Sequence, residues 1–151
     1  VDLGFLPAPV GIDVLTGMRL NEALLHAWDV RVAFDPAATI PGHLAAVLVE
    51  QLSGPVSFFL RFLGKPAAVD GLQFTLLVQT SDPALQFGLE CTDRVSITDA
   101  PQDADDVIHM PTEAFVRLLS GRLTPDHTPV GIAVDSSRVS LDSLRAVFPG
   151  F

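Results

Sequence analysis

The chain has 151 residues, of which 48% are hydrophobic, and its 18 acidic and 9 basic residues give a formal net charge of -9. This composition supports a buried core rather than a disordered chain, and the negative charge disfavours nucleic acid and anionic membrane surfaces as partners. No apolar stretch approaches the ~20 residues of a membrane-spanning helix, and the single Cys91 cannot form an internal disulfide. We therefore expect a soluble, cytoplasmic protein.

Helical patterns dominate the first part of the chain. Residues 16–34 contain no proline and one glycine, and their apolar side chains recur at three- and four-residue steps, which predicts a helix. Asp35-Pro36 ends it, because the residue before a proline is pushed out of the helical region. Two shorter apolar segments, 44–52 and 56–63, predict further helices separated by the breaker Ser53-Gly54-Pro55.

Beyond residue 66 the hydrophobic period changes from about 3.6 to 2, which is the period of half-buried strands. Residues 72–79 and 85–91 alternate in this way, and the Ser81-Asp82-Pro83 turn between them is short enough for a hairpin. Residues 94–98 and 107–110 predict further strands of an antiparallel sheet.

A helix should begin after Pro111 and end at Gly121, since glycine is common just past a helix C-terminus. A strand at 130–134 and a helix at 141–148 are expected to complete the chain. The alternating strands and amphipathic helices together define one buried face. The residues that we expect in this core are Phe74, Phe87, Phe115, Leu118 and Leu144.

The fold class predicted from these patterns is α+β, with a helical part at 1–66 and a separate α+β part at 67–151. The chain starts at Val1 and is apolar through much of 3–10, which is typical of the middle of a longer protein. We therefore expect a fragment or a processed product. A missing N-terminal segment or an oligomer partner should then cover an apolar surface along Leu20, Leu24 and Trp28.

The first helix carries the only convincing chemical site, because Arg19, Glu22, His26 and Asp29 lie three or four residues apart and so share one face. A glutamate and a histidine four apart can direct an oxygen and a nitrogen at a common point, as metal sites in helical bundles require. Zinc or another divalent metal would fit, with one further ligand needed. The simpler interpretation is a solvated ridge with a Glu–His hydrogen bond.

The neighbouring Asp29 has two possible roles. It could accept a hydrogen bond from His26 and so orient the ring behind the metal, or it could pair with a cation such as Arg19 or Arg31. The metal site itself is predicted to point into the interior of the bundle, where the surrounding leucines and alanines exclude water.

Residues 18–30 read M-R-L-N-E-A-L-L-H-A-W-D-V and resemble the E-x-x-x-H-x-W-D helix of the mycothiol-dependent maleylpyruvate isomerase family, which has a DinB-like helical bundle. The second half of the chain looks like that family's C-terminal domain, which is similar to sterol carrier protein. This resemblance runs through the strand at 72–78, Asp103-Ala104-Asp105, the F-x-R-L-L-x-G-R-L segment at 115–123 and the terminal F-P-G-F.

The resemblance implies a bundle that holds a divalent metal with histidine, glutamate and histidine, where the metal activates the thiolate of mycothiol. We expect zinc as the metal in this protein. Glu22 and His26 match the last two of these ligands, and no histidine precedes Glu22 in this chain. Mycothiol also implies an actinobacterial source, with which the use of eight arginines and the single Lys65 agrees.

The remaining candidates have simpler interpretations. His43 lies at the start of the second predicted helix, where it could face the metal site but is more simply interpreted as solvated. His109 and His127 should be structural or exposed. Cys91 falls on the apolar side of its strand and should be a buried, inert thiol. A run of aspartates lacks the spacing of a calcium-binding loop and should be a solvated edge. Its members are Asp103, Asp105 and Asp106.

Two functions follow from these observations. The leading hypothesis is that the intact protein is a metal-dependent, mycothiol-using isomerase or thiol transferase, of which this chain is the C-terminal portion and is inactive alone. Its partners would be a small-molecule substrate and the thiol cofactor. The alternative is a non-catalytic protein that binds a small molecule or lipid in an apolar pocket like that of sterol carrier domains.

Overall fold

A computed structural model describes residues 1–2, 4 and 9–150, and in this part the chain is an α+β protein with a five-stranded sheet. The apolar residues Leu3 and 5–8 of the first segment and the terminal Phe151 lie outside the described residues. The helices are α1 (Ile12–Val32), α2 (Gly42–Ser53), α3 (Leu60–Leu63), α4 (Thr112–Leu119) and α5 (Leu141–Val147). The strands are β1 (Phe74–Ser81), β2 (Gln86–Cys91), β3 (Val95–Thr98), β4 (Val107–Pro111) and β5 (Ala133–Asp135).

The sheet is mixed, not wholly antiparallel as we expected. Its strand order is β3-β2-β1-β4-β5, and β1 pairs with β4 in parallel while the other pairs are antiparallel. The strands β1, β2 and β3 follow one another as neighbours, and the chain then crosses past β2 and β1 to place β4 on the other side of β1. Alternation of side chains reports which face of a strand is buried, but not the direction of its neighbour.

One face of the sheet forms the core. Phe74, Leu76 and Val78 of β1 are buried while the intervening Thr75 is exposed, and Phe87 of β2 packs edge-on against Phe115 of α4 with ring centroids 4.9 Å apart. All five residues predicted for this core are buried. The sequence prediction of the buried face is therefore confirmed.

Helix α4 occupies the centre of the helical layer, since every one of its residues is buried. It packs against α2 and against the sheet strands β1 and β4. A single cluster of buried residues extends from Leu25 and Trp28 of α1 through α2 and α4 to the sheet. The parts at 1–66 and 67–151 thus share one core in the described residues, and the domain boundary at 66 stays a prediction.

The apolar surface expected along α1 is partly covered by this same chain. Trp28 is buried, and Leu20 and Leu24 are partly buried against the core. Trp28 does not lie on a bare face, because Arg117 of α4 and His127 of the following loop pack against its ring. The covering of the remaining surface by an N-terminal segment or an oligomer partner stays a prediction. The apolar side chains that remain exposed nearby are instead Ile12, Val30 and Phe34.

No single helix among the residues that the structure describes is long and apolar enough to cross a membrane. Within the described residues, α2 and the segment Ser57–Leu63 together reach the required length and composition, and the two are bent by 81° relative to each other.

Candidate metal site at the junction of two helices

Glu22 and His26 lie one turn apart on α1 and converge. The Glu22 Oε2 atom is 3.3 Å from the His26 Nε2 atom, and the two side chains are 52% and 67% exposed. Their convergence follows from the four-residue spacing in an uninterrupted helix of 21 residues. The predicted pairing of these two side chains is therefore present in the structure.

Asp29, one turn further along α1, contacts the other ring nitrogen of the same histidine. The distance between His26 Nδ1 and Asp29 Oδ2 is 3.1 Å. A metal-bound histidine typically donates its second ring N–H to a carboxylate, which sets the tautomer and leaves the other nitrogen as the ligand. The geometry thus supports the orienting role considered for Asp29.

The cation that pairs with Asp29 is Arg122, and neither Arg19 nor Arg31 as we considered. Arg122 Nε donates to Asp29 Oδ1 and Arg122 Nη2 donates to Asp29 Oδ2, both at 2.7 Å. Arg31 instead donates to the backbone carbonyls of Ala27 and Thr39. The hydrogen bonds and charge of Arg122 hold the pKa of the Asp29 carboxyl below its ordinary value of 3.8, against the opposing effect of partial burial.

Arg122 reaches α1 because of the way in which α4 ends. Gly121 has a positive φ of 72°, its N–H bonds to the Leu118 carbonyl at 3.0 Å, and the Arg122 N–H bonds to the Arg117 carbonyl at 2.7 Å. This pair of bonds is a Schellman motif, which favours glycine at the left-handed position. Gly121 therefore ends the helix as predicted, and the turn directs Arg122 toward Asp29.

A small cavity of about 90 Å³ lies beside this network. Glu22, His26 and Arg122 line its polar side. The rest of its wall is mainly apolar and comes from Leu25, Leu52, Phe59, Leu63, Val116 and Leu119. Glu22 and His26 are more than half exposed, so they lie at the mouth of the cavity and not in the buried interior that we expected.

The donor set fits part of a zinc site. Two atoms bound to one zinc ion at 2.0–2.2 Å and separated by the tetrahedral angle lie about 3.4 Å apart, and the observed separation of Glu22 Oε2 and His26 Nε2 is 3.3 Å. Nitrogen and carboxylate oxygen are both ordinary zinc ligands. Among the described residues, however, no group of three His, Cys, Asp or Glu side chains is placed to hold a metal ion.

A second, buried network lies deeper between the same two helices. Arg117 of α4 makes two hydrogen bonds of 2.7 Å to the carboxylate of Glu113, and its guanidinium lies 5.1 Å from the centroid of the Trp28 ring. It also donates to the His127 carbonyl at 2.6 Å. Glu113 accepts from the Ile40 N–H, so this charge pair of α4 is enclosed by partners from three other parts of the chain.

The two segments that suggested a family resemblance meet in these networks. Trp28 and Asp29 of the first segment contact Arg117 and Arg122 of the second, respectively. In comparisons with known families and with curated proteins, the chain matches no family model and no curated protein. The resemblance therefore remains a prediction, to which the structure adds the contact between its two segments.

The other candidates lie elsewhere. His43 and His109 are exposed. His127 packs its ring edge-on against Trp28, with the ring centroids 5.7 Å apart. Cys91 is buried as predicted, and burial raises the pKa of its thiol, which favours the less reactive protonated form.

One aspartate of the predicted solvated edge is buried. Asp103 and Asp105 are exposed as expected, but Asp106 is 3% exposed. Its carboxylate accepts hydrogen bonds from Ser136 Oγ and Arg138 Nη2, both at 2.5 Å. These bonds lower the pKa of Asp106 below 3.8 despite its burial. The expectation was wrong for Asp106 because its partners lie about 30 residues away and leave no mark in the local sequence.

Proposed function

We propose that the intact protein is a metal-dependent, mycothiol-using enzyme of the maleylpyruvate isomerase type, acting as an isomerase or a thiol transferase in an actinobacterial cytoplasm. The observation that carries this proposal is the convergence of Glu22 Oε2 and His26 Nε2 at the mouth of a cavity, with Asp29 on the opposite nitrogen of the same ring. A solvated Glu–His pair needs neither the cavity nor the carboxylate behind the histidine.

Each residue of the site has a definable task. Glu22 and His26 would supply two ligands to a divalent metal, zinc first among the candidates, and the third ligand would come from outside the described residues. The metal, when bound, would favour the deprotonated thiolate of mycothiol. Asp29 Oδ2, 3.1 Å from His26 Nδ1, would keep the proton on that nitrogen, because an ionised carboxylate only accepts hydrogen bonds. The apolar wall around Leu25 and Leu119 borders one side of the cavity.

Elemental analysis of the intact protein tests the metal site. We expect one divalent metal ion for each wild-type chain and none in the His26→Ala or Glu22→Ala variants. His43→Ala is a matched control, because it also removes an exposed imidazole from the helical part, and it should keep the metal. Unchanged metal content in the two site variants would contradict the proposal.

The thiol is tested separately. Mycothiol should raise the thermal stability of the metal-loaded intact protein, since a ligand that binds only the native state stabilises it. The 151-residue chain alone should bind metal weakly, because it offers two ligands of three. If mycothiol does not change the thermal stability of the metal-loaded protein, the metal site would stand and the use of mycothiol would be contradicted.

A second candidate function, the binding of a lipid-like or aromatic molecule without catalysis, is favoured by a groove of about 820 Å³ between α2 and the β2–β3 edge of the sheet. Val47, Phe87 and Ile97 contribute apolar wall to this groove. A fluorescent fatty acid should then bind the wild-type chain. Val47→Glu should weaken this binding, because it places a charge in the apolar wall of the groove. The fold should tolerate this substitution, since Val47 is already 37% exposed. Equal binding by both proteins would rule out the groove as the lipid site.

A further inference from the structure

The contact between Asp29 and Arg122 joins residues 93 positions apart in the chain. It is a two-point contact, with Arg122 Nε and Nη2 each 2.7 Å from one oxygen of the Asp29 carboxylate. Asp29 Oδ2 is thus shared between Arg122 Nη2 and His26 Nδ1. The orientation of this carboxylate is set by α4 and its terminal turn as well as by α1.

We propose that Arg122 is a positioning residue for His26, which acts through Asp29 to fix the imidazole as the Nδ1–H tautomer with Nε2 directed toward Glu22. The inference deepens the proposed function, and its metal-binding consequence rests on that function. The orientation of the ring, in contrast, is a property of the metal-free chain and can be measured without a metal.

The first step of the argument is that Asp29 needs an external constraint. Its side chain is 38% exposed on a helix surface, where a carboxylate attached only to its own helix would exchange between rotamers. The planar guanidinium fork matches both carboxylate oxygens and adds geometric specificity that a single hydrogen bond does not provide. With both oxygens held, one lone-pair direction of Oδ2 remains aimed at His26 Nδ1.

The second step is that Arg122 is itself held in place. Its backbone N–H closes the Schellman motif of α4, its Nη1 donates to the Ser120 carbonyl at 3.2 Å, and its side chain is only 20% exposed. The constraint therefore passes from the buried α4 through the turn at Gly121 to Arg122, and from there to Asp29 and His26.

The consequence is that the ligand nitrogen depends on the docking of α1 against α4. When Nδ1 donates its hydrogen to Asp29, Nε2 carries the free lone pair, and this is the atom 3.3 Å from Glu22 Oε2. Groups that orient a metal-bound histidine in this way typically contribute 10–100-fold to metal affinity. Loss of Arg122 should therefore weaken metal binding without removing any ligand.

The direct test is the tautomer of His26 in the metal-free 151-residue chain. Long-range proton–nitrogen correlation spectra, recorded as a series over pH, distinguish the two neutral tautomers from each other and from the doubly protonated ring, and the His26 signals are assigned by their loss in His26→Asn. We expect the Nδ1–H form in the wild type and a mixture in Arg122→Gln. Arg122→Lys should give an intermediate result, because an ammonium cannot bind both carboxylate oxygens in the same way.

Arg138→Gln is the matched control, since it removes an arginine that also pairs with an aspartate, Asp106, away from this network. It should leave the His26 tautomer unchanged. In the intact protein, Arg122→Gln should weaken zinc binding about tenfold or more, whereas Arg138→Gln should not. Circular dichroism establishes whether each variant is folded. If Arg122→Gln does not fold, the comparison is made between the wild type and Arg122→Lys.

The outcomes separate this inference from the proposed function. A folded Arg122→Gln chain in which His26 keeps the wild-type tautomer would overturn the positioning role, whatever the metal content. A wild-type protein that binds no metal but loses the Nδ1–H tautomer in Arg122→Gln would support the positioning role and contradict the proposed function. Loss of both the tautomer and the affinity would support the two together.

Discussion

Two polar networks connect α1 to α4 and the turn that follows it, and they differ mainly in exposure. In the buried network Arg117 and Glu113 have side chains only 3% and 8% exposed, and Trp28 covers the guanidinium. In the exposed network Glu22 and His26 are 52% and 67% exposed, and only its Asp29–Arg122 end is partly covered. Both pair a carboxylate bidentately with an arginine.

The difference separates docking from chemistry. The three guanidinium nitrogens of Arg117 and both carboxylate oxygens of Glu113 already have hydrogen-bond partners. This network can therefore fix the packing of α1, α4 and the loop at His127 but cannot accept a ligand. The exposed network ends in Glu22 Oε2 and His26 Nε2, which lie 3.3 Å apart on side chains that are more than half exposed. The buried pair should therefore govern stability, and the exposed group should govern binding.

The largest expected effect comes from breaking the buried pair. Glu113→Ala leaves the Arg117 charge buried without its carboxylate, and we expect a loss of about 3–5 kcal/mol in the free energy of unfolding. Urea denaturation of the chain measures it. Asp142→Ala is the matched control, because it removes the carboxylate of an arginine pair in which the aspartate is 86% exposed, and it should cost less than about 1 kcal/mol. Similar losses in both variants would remove the distinction drawn from burial.

Asp106 provides an intermediate case, with a buried carboxylate whose partner Arg138 is 53% exposed. Asp106→Asn should cost about 2 kcal/mol near neutral pH, since it weakens hydrogen bonds to a charged acceptor. Because the folded-state pKa is lowered, this stability is present above the unfolded value of about 3.8 and is lost as the pH falls through the folded value. The gap in melting temperature between wild type and Asp106→Asn should therefore shrink as the pH is lowered below about 4, and a constant gap would contradict this assignment.

The partly exposed pair should contribute less. A double-mutant cycle with Asp29→Asn and Arg122→Gln should give a coupling energy of about 1 kcal/mol, reduced from that of a buried pair by solvent screening. A parallel cycle with Asp29→Asn and Arg138→Gln should give no coupling beyond error, since these residues share no partner. Urea denaturation of the two sets of variants provides both values. Coupling of 3 kcal/mol or more between Asp29 and Arg122, on the scale of a buried pair, would place them with the buried network.

The smallest effect on stability is expected at the ligand positions. His26→Ala should change the free energy of unfolding by less than about 0.5 kcal/mol, because the ring is exposed and alanine has the higher helix propensity. The same variant should abolish metal binding in the intact protein. A loss of 2 kcal/mol would instead make the exposed network a structural element, and the comparison would fail at its central point.

Local features of the fold could be predicted from the sequence. The long first helix, the helix end at Gly121 and the buried faces of β1 and β2 follow from periodicity and from breaker residues within a few positions. The convergence of Glu22 and His26 follows from four-residue spacing alone. These features depend on the geometry of one helix or strand, which neighbouring residues specify.

Other features depended on the packing of distant segments. The parallel pairing of β4 with β1, the burial of Asp106 and the covering of Trp28 each require a partner far away in the chain. Arg122 was present in the F-x-R-L-L-x-G-R-L segment, yet nothing in its local pattern points to Asp29, 93 residues earlier. The sequence by itself determined which two residues of α1 converge, because one turn of helix brings them together. Only the tertiary structure decided that Arg122 binds Asp29 beside His26, because that contact exists only when α1 packs against the end of α4.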